Sequence, residues 1–218
     1  MELISLIEID DAGSGSFIGG TIIGVYRIET KEYTDEIIPL NYYSKTNMKK
    51  KAYLNYVVKI IQRSFKKLDV KENESIKICR GYMFDGLRKW LDKENYIWSN
   101  TVIDGPLQER VEKRFEEYVI SLGFPEAFIK YTKYPFHFHR ILKWVYADYD
   151  KRTKLCKIGW RSWDKYGNLP IEVSYDYLPL TREYHCLKCG KKMNPSEKSK
   201  ILRFKSNRVN EVYLHKNC

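Results

Sequence analysis

Leu3-Ile4-Ser5-Leu6-Ile7-Glu8-Ile9-Asp10-Asp11-Ala12-Gly13-Ser14-Gly15 is an apolar run that ends on two carboxylates and a turn of small residues. Residues 3–9 read as a buried strand, and the glycines after Asp11 as the tight turn it enters. β-Branched residues resume between Phe17 and Ile28 (Ile18, Thr21, Ile22, Ile23, Val25, Ile28), and residues 36–43 form a third apolar stretch after the polar segment 30–35. Three consecutive antiparallel strands are predicted.

The period then changes. Leu54, Val57, Val58, Ile61, Phe65 and Leu68 recur at helical spacing over residues 52–68, while Lys59, Arg63, Lys66 and Lys67 fall elsewhere. This predicts an amphipathic helix with a basic outer face. Residues 75–79 read as a strand, 84–91 as a short helix and 97–103 as another strand. Pro106 suits a first helical position, and Leu107, Val111, Phe115, Val119 and Leu122 form one stripe before Gly123 stops the helix. The predicted order, β-β-β-α-β-α-β-α, is a meander followed by strands alternating with helices, the pattern of parallel crossovers in an α/β domain with a mixed sheet. That domain is assigned to residues 1–145. Within its last stretch, Phe136-His137-Phe138-His139 alternates like a strand, whereas Ile141, Leu142, Trp144 and Val145 suit a helix equally well. A connector over residues 146–183 is expected to hold a hairpin, 154–160 against 170–177, around the turn-rich Asp164-Lys165-Tyr166-Gly167-Asn168.

With 218 residues, 43% hydrophobic and 15% aromatic, the chain has enough apolar surface to bury a core. Its apolar runs fall far short of the roughly 20 residues that cross a bilayer, and mean hydropathy is −0.54; no membrane partner is expected. The opening Met1-Glu2-Leu3 has no basic segment of a secretory signal, and of five cysteines three stand at ligand spacing, so a reducing, cytoplasmic setting is expected. A net charge of +11 and a pI near 9.2 favour a polyanionic partner, nucleic acid first among them, because lysines that neutralise phosphates release condensed counterions. The many tyrosines add stacking faces.

Cys186-Leu187-Lys188-Cys189-Gly190 is a CxxC knuckle, and His215-Lys216-Asn217-Cys218 repeats the spacing. Between them, residues 201–204 and 209–214 read as strands around Lys205-Ser206-Asn207-Arg208, a hairpin that would bring the two pairs together. Three thiolates and one imidazole leave no open coordination position, so the expected zinc is structural, with His185 as a competing ligand. Because a structural zinc contributes on the order of 10 kcal/mol, a module over residues 184–218 is expected to be unfolded without metal. The arrangement resembles treble-clef and zinc-ribbon knuckles, including half of a LIM module. Lys188, Lys191, Lys192, Lys198, Lys200, Arg203, Lys205, Arg208 and Lys216 would give it a phosphate-facing surface.

The carboxylates Asp10 and Asp11, placed where a strand leaves the core before a glycine-rich turn, suit a hard divalent cation such as Mg²⁺ or Mn²⁺. The stretch from Ile9 to Gly15, with Phe17-Ile18-Gly19-Gly20 behind it, resembles the amino-terminal motif of type 2 ribonucleases H, with Asp11 in the usual glutamate position. The strand order is similar to the ribonuclease H-like fold. That resemblance implies Asp104, in Val102-Ile103-Asp104-Gly105, as a third catalytic carboxylate. It also implies a fourth before a Lys-Tyr-Pro-like segment; here Lys133-Tyr134-Pro135 has Tyr131 at that place, leaving Glu126, Asp85, Asp148 or Asp150 as substitutes. The actin and sugar-kinase ATPases share the strand order, but they duplicate the domain, for which 218 residues leave no room.

Two functional readings follow. One is a nucleic-acid-binding, metal-dependent nuclease using Asp10, Asp11 and Asp104; the other is a non-catalytic nucleic-acid-binding or regulatory protein on the same scaffold. The remaining candidates have plainer expectations: His137 and His139 sit on a half-buried strand, Cys79 and Cys156 are core thiols, and the tryptophans are core residues.

Overall fold

A computed structural model describes residues 5–130, 136–181 and 183–218 of the chain. The Lys133-Tyr134-Pro135 segment, Tyr131, and the Leu3-Ile4 start of the first expected strand lie outside those residues. Two compact units are present, Met1–Leu122 and Gly123–Cys218. Residues 123–145, grouped above with the amino-terminal domain, fall in the second unit.

The first unit is built on a five-stranded mixed sheet. Strand β1 (Leu6–Ala12) pairs antiparallel with β2 (Thr21–Arg27), which pairs antiparallel with β3 (Tyr33–Ile38). A short helix α1 (Lys45–Lys49) and the long α2 (Ala52–Leu68) lead to β4 (Ser75–Cys79). Then α3 (Asp85–Lys93), β5 (Trp98–Thr101) and α4 (Pro106–Ser121) complete the unit. Both β1–β4 and β4–β5 pairs are parallel, and the sheet order is β3-β2-β1-β4-β5. The α2 and β4 spans match the sequence reading residue for residue. β1 differs: its ladder continues through Asp10 and Asp11, because Asp10 faces Gly24 and Asp11 faces Ile23 in β2. The two aspartates are strand residues, and the turn begins after them. β3 also starts earlier than expected and stops before Pro39, which has no N–H to extend the ladder.

Alternation along the strands divides the packing. Ile7, Ile9, Ile23, Val25, Ile76 and Ile78 face α2 and α3, whose Val57, Ile60, Ile61, Phe65, Leu87 and Leu91 are buried with them. The opposite face receives α4 through Leu107, Val111, Phe115 and Val119. α4 comes so close that a Cβ at Gly24 would lie 2.3 Å from Val111 Cγ1, so only glycine fits beside that helix. Asp10, out of phase with Ile7 and Ile9, lies on this α4 face, where the charge of Glu112 reaches it. One buried ion pair ties the far end: Arg27 donates to both oxygens of Glu74 at 2.9 Å and to the Leu68 carbonyl at 2.8 Å, joining β2, the end of α2 and the approach to β4.

The second unit begins with three helices, α5 (Glu126–Lys130), α6 (Phe138–Ala147) and α7 (Tyr149–Arg152), followed by α8 (Arg161–Tyr166). A three-stranded antiparallel sheet of order β6-β7-β8 follows, made of β6 (Glu172–Asp176), β7 (Ser199–Lys205) and β8 (Val209–His215). The stretch left open between strand and helix is helical, since Ile141, Leu142, Trp144, Val145 and Tyr146 bury a full helical face. The expected 154–160/170–177 hairpin is replaced: residues 161–166 form α8, and β6 pairs with β7 instead. Leu142, Tyr146, Leu178, Tyr184, Cys186, Met193, Leu202, Phe204, Val212 and Leu214 make one core. Among the described residues no helix is long and apolar enough to cross a membrane.

Candidate metal centres

The β7–β8 hairpin places His215 at the end of β8, and Cys218 N–H turns back to the His215 carbonyl at 3.0 Å. The knuckle is closed by Gly190, at φ +76°, whose N–H reaches the Cys186 carbonyl at 2.8 Å; this left-handed turn is one that glycine enters without steric cost. As a result one ligand atom from each of Cys186, Cys189, His215 and Cys218 lies within 4.8 Å of all the others. Nδ1 of His215 is 3.3 Å from Cys189 Sγ and 4.0 Å from Cys218 Sγ. A tetrahedral zinc with bonds of about 2.3 Å to sulfur and about 2.1 Å to nitrogen requires S···N separations near ~3.6 Å. The donor set fits, and the cluster could hold a zinc ion with no coordination position to spare.

Neighbouring groups orient these ligands. Nε2 of His215 meets the Lys192 carbonyl at 3.2 Å, which sets Nε2 as the protonated nitrogen and turns the Nδ1 lone pair toward the sulfurs. Burial pushes the Cys186 thiol up, but backbone N–H groups of Cys189, His215 and Lys188 outweigh it and bring the thiol down to about 7. Burial and the sulfurs of Cys186 and Cys189 push Cys218 up to about 11. Arg152 grips the knuckle from behind: Nη1 donates to Leu187 O and Nη2 to Lys188 O, both at 2.9 Å, while its guanidinium lies 4.4 Å from the Trp144 ring. Nothing in the sequence singled out Arg152, because α7 is only four residues long and the contact spans 35 positions. His185 forms an isolated bridge with Lys192 and is not part of the cluster.

A second group of donors forms where β1 and β4 end. Asp10, Asp11 and Cys79 each bring one ligand atom within 4.8 Å of the other two, so the site could hold a divalent metal. The cause is register: Ile9 pairs with Ile78, which sets Asp10 beside Cys79 on the adjacent parallel strand. Asp10 is only 6% exposed. Burial pushes its carboxyl up to about 6, with Asp11 and Glu112 adding negative charge and the Cys79 thiol, which donates a hydrogen bond to it, pulling the other way. The thiol in turn is pushed up to about 11 by burial, by its hydrogen bond to Asp10 and by the negative charges of Asp10 and Asp11, which outweigh the backbone N–H of Gly81. Cys79 is therefore half-buried and engaged with Asp10, where the sequence reading made it a core thiol; Cys156 is a core thiol, 4% exposed.

Around the pair the backbone is shaped for close approach. At Gly13, φ is +85° and an added Cβ would fall 2.2 Å from the Phe115 ring. The Tyr82 hydroxyl donates to Ser14 O at 3.3 Å across the mouth of the turn. Gly81, where a Cβ would touch Asp11 Oδ1 at 3.2 Å, keeps the other flank small.

Asp104 is not in this group. It is exposed in the connection between β5 and α4, three residues beyond Thr101, the residue paired with Cys79. It does share the carboxyl end of the parallel strands with Asp10. Asp85 is committed to Arg88 at 2.8 Å, and Glu126, Asp148 and Asp150 belong to the second unit. Glu112 was missed by the sequence reading; it sits on α4, accepts from Gln108 at 3.1 Å, and its charge acts on Asp10. The helical face Glu112–Glu116 was the available signal, obscured by the basic residues interleaved with it. His137 and His139 open α6, with rings 5.4 Å apart, and His139 Nδ1 lies 3.2 Å from Ser206 Oγ.

No protein-family model matches the chain, and no curated protein sequence matches it.

Proposed function

We propose that this chain is a polynucleotide-binding protein of ribonuclease H-like architecture, with a structural zinc in its second unit and a divalent-cation site at Asp10 and Asp11 that cleaves phosphodiester bonds. The observation that carries the reading is the convergence of Asp10, Asp11 and Cys79 at the carboxyl ends of adjacent parallel strands, the place where open α/β sheets bind ligands. Mg²⁺ or Mn²⁺ held there would supply an activated water and a counter-charge for the leaving oxygen. Asp10 and Asp11 furnish the hard oxygen donors. Cys79 supports the metal site through its hydrogen bond to Asp10, holding the carboxylate in place. The net charge of +11 supplies the attraction for phosphates, and the exposed Lys59, Lys66 and Lys67 of α2 form one basic face.

The second reading, a scaffold that binds nucleic acid without cutting it, is favoured by the thiol of Cys79 standing where a further carboxylate would strengthen cation binding. One assay separates them. Labelled RNA, DNA and RNA–DNA hybrid are incubated with zinc-loaded protein and Mn²⁺ beside Asp10→Asn; cleavage by the wild type alone supports the enzyme. Binding without cleavage by either protein leaves the scaffold reading.

A further inference from the structure

A pocket of ≈ 120 Å³ opens beside the Cys₃His cluster, lined by Asn194, Glu197, Lys198, Ser199, His215, Lys216 and Asn217. Its floor is the end of the three-stranded sheet, where Asp176 pairs with Ser199 and Ser199 with His215 in one row. We propose that this pocket takes a phosphate monoester, the terminal phosphate of a polynucleotide, with the terminal base placed against Tyr177. The inference rests on the polynucleotide reading for its source of phosphate.

Four observations lead there. Lys198 and Lys216 are both exposed, and among the described residues neither has a carboxylate within ion-pairing distance, so two ammonium groups are available at the rim. The one carboxylate in the lining, Glu197, accepts from the Asn194 amide at 3.1 Å, and Asn194 Oδ1 in turn accepts from Ser196 N–H at 3.1 Å, which draws that acid into the loop's own hydrogen bonds. Ser199, only 3% exposed, carries a hydroxyl in the lining of the pocket. Finally, Lys198 Nζ lies 5.9 Å from the centroid of the Tyr177 ring, and Tyr177 is 56% exposed. An aromatic face next to an ammonium-lined pocket is the pairing that single-stranded nucleic acids use, base on ring and phosphate on cation.

The shape selects the kind of phosphate. An internal phosphodiester continues in two directions and suits an open groove; a concave pocket suits a group that ends the chain. A terminal monoester carries about −1.5 to −2 charge at pH 7 and three acceptor oxygens, which matches two ammonium groups, a hydroxyl and the Asn217 amide.

Zinc-loaded full-length protein is titrated with a 5′-phosphorylated and a 5′-hydroxyl oligonucleotide of one sequence, and separately with inorganic phosphate while backbone amide resonances are followed. Wild type, Lys198→Gln/Lys216→Gln and Lys205→Gln, a loss of charge elsewhere on the module, are compared after zinc content is verified. The expected result is about tenfold tighter binding of the phosphorylated strand, the size of one charge-assisted hydrogen bond. That preference should vanish in the double variant and survive in Lys205→Gln. Equal affinity for both strands overturns the pocket while leaving the polynucleotide reading in place. If neither strand binds, the polynucleotide reading falls. Phosphate-induced shifts at Ser199 and Asn217, absent in the double variant, would then assign the pocket to a small phosphate ester, and their absence would overturn it altogether.

Discussion

Cys79 donates its thiol hydrogen to the carboxyl of Asp10 across the junction of two parallel strands. A soft donor thus steadies a hard one. Removing it in Cys79→Ala takes away a hydrogen bond that favours the ionised acid, so the Asp10 titration should move above its value of about 6. Carboxyl-carbon NMR titration of the two proteins reads this directly; an unchanged or lower midpoint would show that the contact is not formed.

The burial of Asp10 has a consequence for stability. Its folded value lies above the ordinary value of 3.8, so its favourable contribution is fully present below about pH 4 and is lost as pH rises through about 6. Above that, the native state carries a desolvated charge. Asp10→Asn should therefore stabilise the protein by about 1–2 kcal/mol at pH 8 in Mg²⁺- and Mn²⁺-free buffer, and by much less at pH 4.5. Urea unfolding at both pH values, with zinc retained, measures the difference. Mn²⁺ added at pH 8 should stabilise only the wild type.

Cys79→Asp would place a third carboxylate in the cluster. Manganese binding should tighten by about tenfold, as expected when a hard oxygen replaces a thiol at a hard cation, and the cation-free protein should lose stability through like-charge crowding. Electron paramagnetic titration of Mn²⁺ gives the affinity; a weaker site would place residue 79 outside the reach of the ion.

Arg152→Ala should loosen the knuckle without touching a ligand. Loss of three carbonyl contacts, to Trp144, Leu187 and Lys188, should weaken zinc binding by about 10–100-fold, measured by competition with a chromophoric chelator. Arg152→Lys should recover little of it, because an ammonium cannot reproduce the planar fork.

How much of this was legible depended on range. The α2 and β4 spans and the β7–β8 hairpin followed from local period and turn residues. The zinc ligands followed from two pairs at one spacing. The Cys79–Asp10 contact did not, since two residues 69 positions apart are brought together only by strand register. α8 was misread because Asp164-Lys165-Tyr166-Gly167-Asn168 carries turn residues that also suit the last turn and exit of a short helix, with Gly167 N–H returning to the Trp163 carbonyl at 2.7 Å. β6 was found, but with the wrong partner: pairing across a sheet is chosen by tertiary packing, which a hairpin-like spacing does not reveal.

The Cys186 side chain lies wholly inside a core that also contains Leu142 and Tyr146 of α6. A fragment cut at residue 184 would therefore strip that core of Leu142, Tyr146, Ala147 and Leu178. The smallest piece expected to fold on zinc runs from 123 to 218, and chelation should surrender that entire stretch to proteolysis in one cooperative event while residues 5–122 persist. Metal supply would then act on this protein as a switch on a whole folded unit, far more than a local clasp.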